Sequence, residues 1–128
     1  MSHEILIVDD APNIVLSLEF LMKKEGFAVR SVGDGEEALR AVEEKQPDLI
    51  LLDVMMPKKN GYEVCEAIRT NPAWKGIRII MLTAKGREVE QEKGLALGAD
   101  DYVVKPFSTR ELVLKVRAML GLEDATPA

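Results

Sequence analysis

Five short apolar runs, separated by segments of helical periodicity, constrain the fold of this chain more than any other feature. The runs are ILIV at 5–8, FAVRSV at 27–32, LILL at 49–52, IRIIML at 77–82 and YVV at 102–104. Most of them are apolar at successive rather than alternate positions, which is typical of parallel strands covered by helices on both faces. They therefore predict five strands of one parallel sheet.

The segments between the runs have the spacing of amphipathic helices. Val15, Leu18 and Met22 recur at helical spacing before Gly26, a residue type that commonly ends helices. A third helix is predicted to start near Gly61. Asp34 with Glu37 resembles a capping box at the start of the second helix, and Ser108 with Glu111 predicts a full capping box at the start of the fifth.

The fourth helix, predicted over residues 87–97, differs from the others. Its apolar face is thin and consists mainly of Val89, Ala96 and Leu97 among many charged residues. Because few apolar side chains are available for burial there, we expect it to be the least firmly packed helix.

Strand and helix alternate five times along the chain, and this order indicates the class of fold. It predicts an α/β protein with a doubly wound parallel sheet and right-handed crossovers. With 128 residues the chain has the length of one domain. We expect the domain to comprise residues 1–122, and residues 123–128 to form a frayed tail.

Charge and composition exclude several classes of partner and location. The chain has 22 acidic and 17 basic residues, a net charge of -5, which disfavours direct contact with nucleic acid. The single cysteine, Cys65, cannot form an internal disulfide, and the N-terminus lacks the features of a signal peptide. No apolar run approaches the roughly 20 residues that span a bilayer. We therefore predict a cytoplasmic protein without membrane association.

Charged and hydroxyl side chains follow four of the five runs. Asp9 and Asp10 follow the first run, Asp53 the third, Thr83 the fourth and Lys105 the fifth. In doubly wound sheets the functional groups lie at the carboxyl ends of the strands, so these side chains are expected to meet at one edge. Three carboxylates against one ammonium would repel one another unless a cation joined them. Ligands that are all oxygen indicate Mg²⁺, with Mn²⁺ as an alternative.

Such a site suits phosphoryl transfer to a carboxylate. A carboxylate can attack phosphorus and form an aspartyl-phosphate if the phosphoryl oxygens are held and their charge is offset. Mg²⁺ and Lys105 would offset that charge, and the Thr83 hydroxyl could donate to a phosphoryl oxygen.

Four motifs, in order and correctly spaced, carry a resemblance to a known family. They are VDD at 8–10, LLDVMMPKKNG at 51–61, MLTA at 81–84 and GADDYVVKPF at 98–107. Over residues 4–121 the sequence resembles the CheY-like receiver domain of response regulators in two-component signalling. The resemblance implies the strand order 2-1-3-4-5 and a phosphorylation-dependent switch. Such a switch is not an enzyme in the ordinary sense, although it contributes groups to its own phosphorylation and hydrolysis.

The resemblance also implies a role for each residue of the acidic site. Asp53 would accept phosphate from a sensor histidine kinase or a histidine phosphotransfer protein. Asp10, Asp53 and the backbone carbonyl of Met55 would hold Mg²⁺, while Asp9 would act mainly through water.

Four residues on the last two strands have implied roles in switching and phosphate binding. Thr83 and Tyr102 would form the switch pair, and Lys105 would be the cation that binds the phosphoryl group. The bond between Lys105 and Pro106 is implied to be cis, which would direct the ammonium into the site.

The C-terminal third most resembles receivers of the winged-helix transcription-factor class, which dimerise through the fourth helix, fifth strand and fifth helix. Six charged residues of both signs are predicted on that face: Lys93, Asp100, Asp101, Glu111, Lys115 and Arg117. In a two-fold pairing each acid could meet a base of the other subunit. Glutamine at 91, and lysine rather than arginine at 115, depart from the pattern of that class. A monomer that docks a downstream effector on the same face is the alternative.

Taken singly, most of these residues have simpler interpretations. Asp9 and Asp10 before Pro12 could be only an N-terminal helix cap, and Tyr102 could be an ordinary half-buried strand aromatic. Exposed charges such as those of the proposed dimer face usually form only a solvated surface. The interpretation as a site depends on the strand-end residues occurring together.

Three other functions use a similar sheet. A phosphohydrolase of the haloacid dehalogenase type needs an acid two residues after its nucleophile, where this chain has Ala11 and Met55. A flavodoxin-like flavin binder needs a neutral phosphate loop, whereas DDAPN at 9–13 would repel the flavin phosphate. An interaction-only receiver is disfavoured because none of the site residues is missing.

Overall fold

The computed structural model of the protein describes residues 3–56, 60–84 and 88–122. Five strands and five helices alternate, with one short 3₁₀ turn at Pro72–Trp74. The strands are β1 (Glu4–Val8), β2 (Ala28–Val32), β3 (Leu49–Asp53), β4 (Arg78–Ala84) and β5 (Asp101–Lys105). The helices are α1 (Pro12–Lys24), α2 (Gly35–Glu44), α3 (Gly61–Thr70), α4 (Glu88–Ala96) and α5 (Thr109–Met119). The predicted frayed tail at 123–128 lies outside the described residues.

The strands form one parallel sheet in the order β2-β1-β3-β4-β5, which confirms the predicted fold. Successive residues of the central strands enter opposite cores, which explains their continuous apolarity. Ile5 and Leu49 pack with α1 and α5, whereas Leu6 and Ile50 pack with α2 and α3. These four side chains are fully buried on both faces of the sheet. None of the described helices has the length and apolar character needed to cross a membrane.

β3, β4 and β5 extend beyond the predicted apolar runs at their carboxyl ends. Asp53 pairs with Leu82, and Thr83 pairs with Val104, so both polar residues are the continuation of strands rather than loop residues. This difference matters for the site, because the regular ladder fixes the backbone of the polar side chains at the sheet edge.

The predicted side-chain caps of α2 and α5 are present, but neither helix has the reciprocal bond of a full box. In α2 the Glu37 carboxylate accepts instead from the Gly33 N–H at 3.3 Å. The Asp34 carboxylate accepts from the Glu37 N–H at 2.8 Å, and the Ser108 hydroxyl accepts from the Glu111 N–H at 3.3 Å. The Glu111 carboxylate lies 3.9 Å from Lys115 of its own helix. Pairing with an ammonium one turn away competes with the return bond to the helix start.

α3 starts with a full capping box that the sequence analysis did not predict. The Asn60 side chain accepts from the Glu63 N–H, and the Glu63 carboxylate accepts from the Asn60 N–H, both at 3.0 Å. Two donors of the first turn are therefore satisfied reciprocally. The helix then buries Val64, Cys65 and Ile68 against the sheet.

α4 has few buried apolar residues, as predicted, but Val89 and Ala96 were wrongly assigned to its apolar face, since both are exposed. Leu97, just after the helix, is partly buried against the core. Val89 is 78% exposed and Leu95 is 44% exposed. Among the α4 residues whose burial is described, only Gly94 is buried, and it lies against the Met81 side chain. Among these residues, the one that is buried against the sheet therefore has no side chain.

Candidate functional site

Two aspartates and a lysine meet at the carboxyl edge of the sheet. The Lys105 ammonium, at the end of β5, lies 3.1 Å from the Asp9 carboxylate and 3.2 Å from that of Asp53. Asp9 and Asp53 are both buried, and a quarter of the Lys105 side chain is exposed. A buried carboxylate is costly unless it is paired, and here one cation serves two of them.

Asp10 completes an acidic cluster at the same edge. Asp9, Asp10 and Asp53 each offer a carboxylate oxygen, and these oxygens all lie within 4.8 Å of one another. Asp10 is exposed, so the cluster is open to solvent on one side. Asp9 also accepts from the Ala11 N–H at 2.9 Å, whereas α1 itself has no side-chain cap. The interpretation of Asp9 and Asp10 as a simple helix cap is therefore wrong.

Burial and neighbouring charge shift the pKa values of the paired groups. Burial raises the pKa of Asp53 above its ordinary value and the negative Asp9 raises it further, although Lys105 and the Met55 N–H oppose the shift. Burial would by itself lower the pKa of Lys105, but attraction to Asp53 and Asp9 outweighs burial and raises it. The site thus holds a fixed positive charge beside a carboxylate whose negative charge is not fully compensated.

Thr83 lies at the end of β4, and its side chain is unsatisfied. The residue is buried, and its hydroxyl has no hydrogen-bond partner among the residues that the structure describes. A buried polar atom without a partner costs free energy and therefore needs an explanation. A phosphoryl oxygen bound at Asp53 is a suitable acceptor, because Thr83 stands one strand away at the same edge.

Two further predicted residues surround the aspartates. The Met55 N–H hydrogen-bonds the Asp53 carboxylate, while the Met55 side chain is 68% exposed. Met55 thus contributes to the site through its backbone. The Lys105–Pro106 peptide bond is cis, as the resemblance implied.

Tyr102 of β5 is half-buried and packs against the core that contains α3. Its backbone N–H donates to the Asp101 carboxylate at 2.8 Å, and its carbonyl accepts from Lys115 at 2.8 Å. The Lys115 ammonium also lies 5.4 Å from the centre of the Tyr102 ring and 3.3 Å from Asp101. The acid and the base predicted to pair across a dimer are therefore already paired within one chain.

Three other charges of the predicted dimer face contact elements outside it. Asp100 pairs with Arg69 of α3 at 2.7 Å. Lys93 lies 4.5 Å above the ring of Tyr62, also on α3. Arg117 lies 3.8 Å from Glu25, which follows α1. Three of the six predicted charges are therefore engaged by groups outside the predicted face, because long side chains reach the nearest opposite charge or aromatic ring.

Arg69 was missed by the sequence analysis, although it connects several segments. Its guanidinium donates to the carbonyls of Ile77 and Gly98 and to the Asp100 carboxylate, each at 2.7 Å. The side chain thereby ties the end of α3 to the segment that follows α4. An arginine near a helix end gives no sequence signal for such contacts, because they depend on which loops the fold brings near it.

A groove of about 540 Å³ adjoins the acidic cluster, between α1 and the end of β2. Asp9, Asp10, Leu16 and Ser31 are among its lining residues. Leu16 is 65% exposed, and Phe20, one turn further along α1, is 70% exposed. Leu16 thus presents an apolar side chain to solvent in the groove, and Phe20 presents another one helical turn away.

Comparison with known proteins gives consistent matches. A family model described as the response regulator receiver domain matches residues 5–117. The DNA-binding response regulator MtrA of Mycolicibacterium smegmatis is 47% identical over 128 residues, which is all of this chain and 55% of MtrA. The chain thus spans about half the length of that relative.

Solved structures are similar over nearly the whole chain. The chemotaxis response regulator CheY4 of Vibrio cholerae superposes with a TM-score of 0.88 at 31% identity, covering 94% of this chain and 100% of that one. The receiver domain of sensor histidine kinase PA1611 from Pseudomonas aeruginosa PAO1 has a TM-score of 0.87 at 33% identity, covering 94% and 99%. That structure has a magnesium ion coordinated in its active site cleft.

Proposed function

The chain belongs to the family of response regulator receiver domains, phosphorylation-dependent switches of two-component signalling, and on this basis we propose that Asp53 is its phosphoacceptor. The observation that carries the proposal is the arrangement of Asp9, Asp10, Asp53 and Lys105 at one edge of the sheet. Asp53 is the carboxylate at the end of the central strand, between the other two acids and the lysine.

The acidic cluster fits Mg²⁺, or Mn²⁺ in its place. The Asp10 and Asp53 carboxylates and the Met55 carbonyl would hold the ion, with Asp9 acting through water. Carboxylate and carbonyl oxygens with retained water suit Mg²⁺, and the excess negative charge of the cluster favours a cation. The bound ion would offset charge on the phosphoryl oxygens.

The side chains then have complementary roles in the transfer. An Asp53 oxygen attacks phosphorus as the bond from phosphorus to the donor imidazole nitrogen breaks, and the neutral imidazole leaves after gaining a proton. Lys105, fixed by Asp9, would stay near the transferred oxygens and stabilise their charge. The chain supplies groups to its own modification rather than turning over an external substrate.

Intact-mass measurement with acetyl phosphate tests this assignment. With Mg²⁺ the wild type should gain one phosphoryl group that hydroxylamine removes, whereas Asp53→Asn should gain none. Chelation of the metal ion should abolish the reaction. Equal labelling of both proteins would exclude Asp53 as the acceptor.

We further propose that a sensor histidine kinase or phosphotransfer protein docks a helix across the groove beside Asp10. The groove is continuous with the site, and Leu16 and Phe20 offer exposed apolar contacts next to it. Phe20→Asp should slow transfer from a histidine-phosphorylated donor protein that labels the wild type. It should leave labelling by acetyl phosphate unchanged, because a small donor needs no docking surface. An equal loss with both donors would contradict the docking role.

The output surface is proposed to be formed by α4, β5 and α5. A phosphoryl oxygen would draw the Thr83 hydroxyl inwards, and Tyr102 would fill the space that it leaves. The downstream partner would be a second copy of the chain or an effector protein. Sedimentation at several concentrations, with and without the phosphoryl mimic beryllofluoride, separates the two. If the activated protein dimerises and Asp101→Lys abolishes the dimer, the partner is a second copy of the chain.

The remaining proposals concern the whole protein. We propose a cytoplasmic location and a receiver unit that extends to residue 122. MtrA is a DNA-binding regulator of which this chain matches 55%, and the net charge of -5 disfavours DNA contact by the matched part. We therefore propose that the residues of this sequence do not themselves contact DNA.

A further inference from the structure

The first residue of α3 is in close contact with the backbone that carries the phosphoacceptor. The Gly61 N–H donates to the Val54 carbonyl at 2.9 Å. A Cβ atom at position 61 would lie 2.3 Å from the Asp53 carbonyl oxygen and 2.9 Å from the Val54 Cα. Both neighbours are backbone atoms, which cannot rotate away as the end of a side chain can. Position 61 therefore requires glycine, because the backbone of Asp53 and Val54 lies too close to leave room for a Cβ atom.

The start of α3 is held rigidly against that backbone. The capping box of Asn60 and Glu63 fixes its first turn, and the buried side chains of the helix fix its body. The turn that follows Asp53 is held by Val54, whose side chain is buried and whose N–H donates to the Leu82 carbonyl at 3.3 Å, whereas the Met55 side chain is 68% exposed. The hydrogen bond and close contact with Gly61 add a second constraint, on the Val54 carbonyl and hence on the peptide that leads to Met55.

We propose that Gly61 is a positioning residue of the phosphoryl-transfer site, acting through the Asp53–Val54 peptide on the Met55 carbonyl. This inference rests on the proposed function, in which that carbonyl is a ligand of Mg²⁺. A side chain at position 61 would push the peptide away and displace the carbonyl from the metal. Gly61 itself contacts neither the ion nor the phosphoryl group.

The experiment measures Mg²⁺ affinity from the increase in unfolding free energy with Mg²⁺ concentration. Gly61→Ala should weaken Mg²⁺ binding by about 10- to 100-fold, the range found when groups that orient metal ligands are altered. A purely structural role would lower stability without Mg²⁺ but leave the Mg²⁺ dissociation constant unchanged.

Two control variants separate these effects. Gly76→Ala introduces the same methyl group where nothing lies within 4 Å, and it should change neither stability nor Mg²⁺ affinity appreciably. Ile68→Ala destabilises α3 two turns away from Gly61 and should retain the wild-type dissociation constant. Wild-type affinity in Gly61→Ala would overturn the inference while leaving the proposed metal site intact. Lack of Mg²⁺ binding by the wild type would overturn the metal site, and the inference with it.

If Gly61→Ala does not fold, amide hydrogen exchange in the wild type tests whether Gly61 is coupled to the Met55 carbonyl. Mg²⁺ bound at the Met55 carbonyl should hold the 53–55 turn and slow exchange of the Gly61 N–H, which is bonded to Val54. Unchanged exchange of that amide at saturating Mg²⁺ would overturn the inference.

Discussion

Helices α3 and α4 follow neighbouring strands of the sheet, yet they are held to the protein in different ways. α3 begins with a full capping box, buries three apolar side chains and contacts the backbone of Asp53 through Gly61. α4 buries Gly94 and exposes Val89 and Leu95. Asp53 thus precedes a firmly packed helix, while Thr83, whose hydroxyl has no partner among the described residues, precedes a loosely packed one. A switch needs both, because one side must bind phosphate in a fixed geometry and the other must respond to it.

The largest expected effect is on stability, when equivalent apolar side chains of the two helices are truncated. Ile68→Ala removes a fully buried α3 side chain and should cost about 2–5 kcal/mol of unfolding free energy. Leu95→Ala on α4 should change it by no more than about 0.5 kcal/mol, because the side chain is 44% exposed. Urea denaturation of both variants measures the difference. Similar losses would mean that α4 is packed as firmly as α3.

The next effect concerns Arg69, which connects α3 to the segment after α4. Arg69→Met should cost about 1–3 kcal/mol, because it leaves partly buried carbonyls and Asp100 without their donor. Amides of residues 94–100 should exchange faster as well. Arg78→Met is the matched control: its side chain is 53% exposed and lies 3.7 Å from Asp100, so the loss should stay within about 1 kcal/mol. Slower or unchanged exchange at 94–100 in Arg69→Met would argue against an anchor.

A third, smaller effect is the response of the two helices to activation. With beryllofluoride and Mg²⁺, amide exchange should change along α4 and β5, because Thr83 lies near the end of β4, the strand that precedes α4, and Tyr102 lies on β5. α3 should remain unchanged beyond its first turn. Asp53→Asn provides the control, since it should show no response to the mimic. A change confined to α1 and α2 would contradict the assignment of the responsive side.

The smallest expected effect is the pH dependence of the acidic cluster. Because the pKa of Asp53 is raised in the folded protein, the folded state holds a proton that the unfolded chain has released at pH values above 3.8. Stability contributed by this group is therefore lost progressively as pH rises from 3.8 through the raised pKa of the folded state. Asp53→Asn should be more stable than the wild type at neutral pH without Mg²⁺. Its advantage should shrink as pH falls towards 3.8, in urea titrations across a pH series.

Added Mg²⁺ supplies the control for this titration. The ion should stabilise the wild type by offsetting the cluster charge and should remove the advantage of Asp53→Asn. A stability difference that stays constant across the pH series would show that burial of the charge is not its cause.

The sheet and the acidic edge were predictable because they depend on short-range patterns. Continuous apolar runs locate β1 and β3 to within one residue of their ends, and the residues after those runs are Asp9 and Asp53. The strand-end rule then brings the carboxylates together without any knowledge of side-chain conformation. Thr83 and Lys105 follow in the same way.

The contacts of the long Arg69 side chain, and those of Gly61, which has no side chain, could not be predicted from the sequence. Arg69 reaches three segments, and Asp100 is paired with it rather than directed at a partner; both contacts depend on how loops pack in three dimensions. Gly61 differs from Arg69, because its role depends on the absence of a Cβ atom. A pattern of residue types records neither the reach of a guanidinium nor the space for a Cβ.

The two side-chain bonds to the Tyr102 backbone bear on how the protein can associate. β5 is an outer strand of the sheet, and an outer strand with free backbone groups is a template to which another strand can add. At Tyr102 the N–H is occupied by Asp101 and the carbonyl by Lys115, so an incoming strand would have to displace a charged pair. Partners are thereby directed to recognise side chains on this face, and strand addition, the common first step of β-aggregation, is disfavoured at that point of the edge.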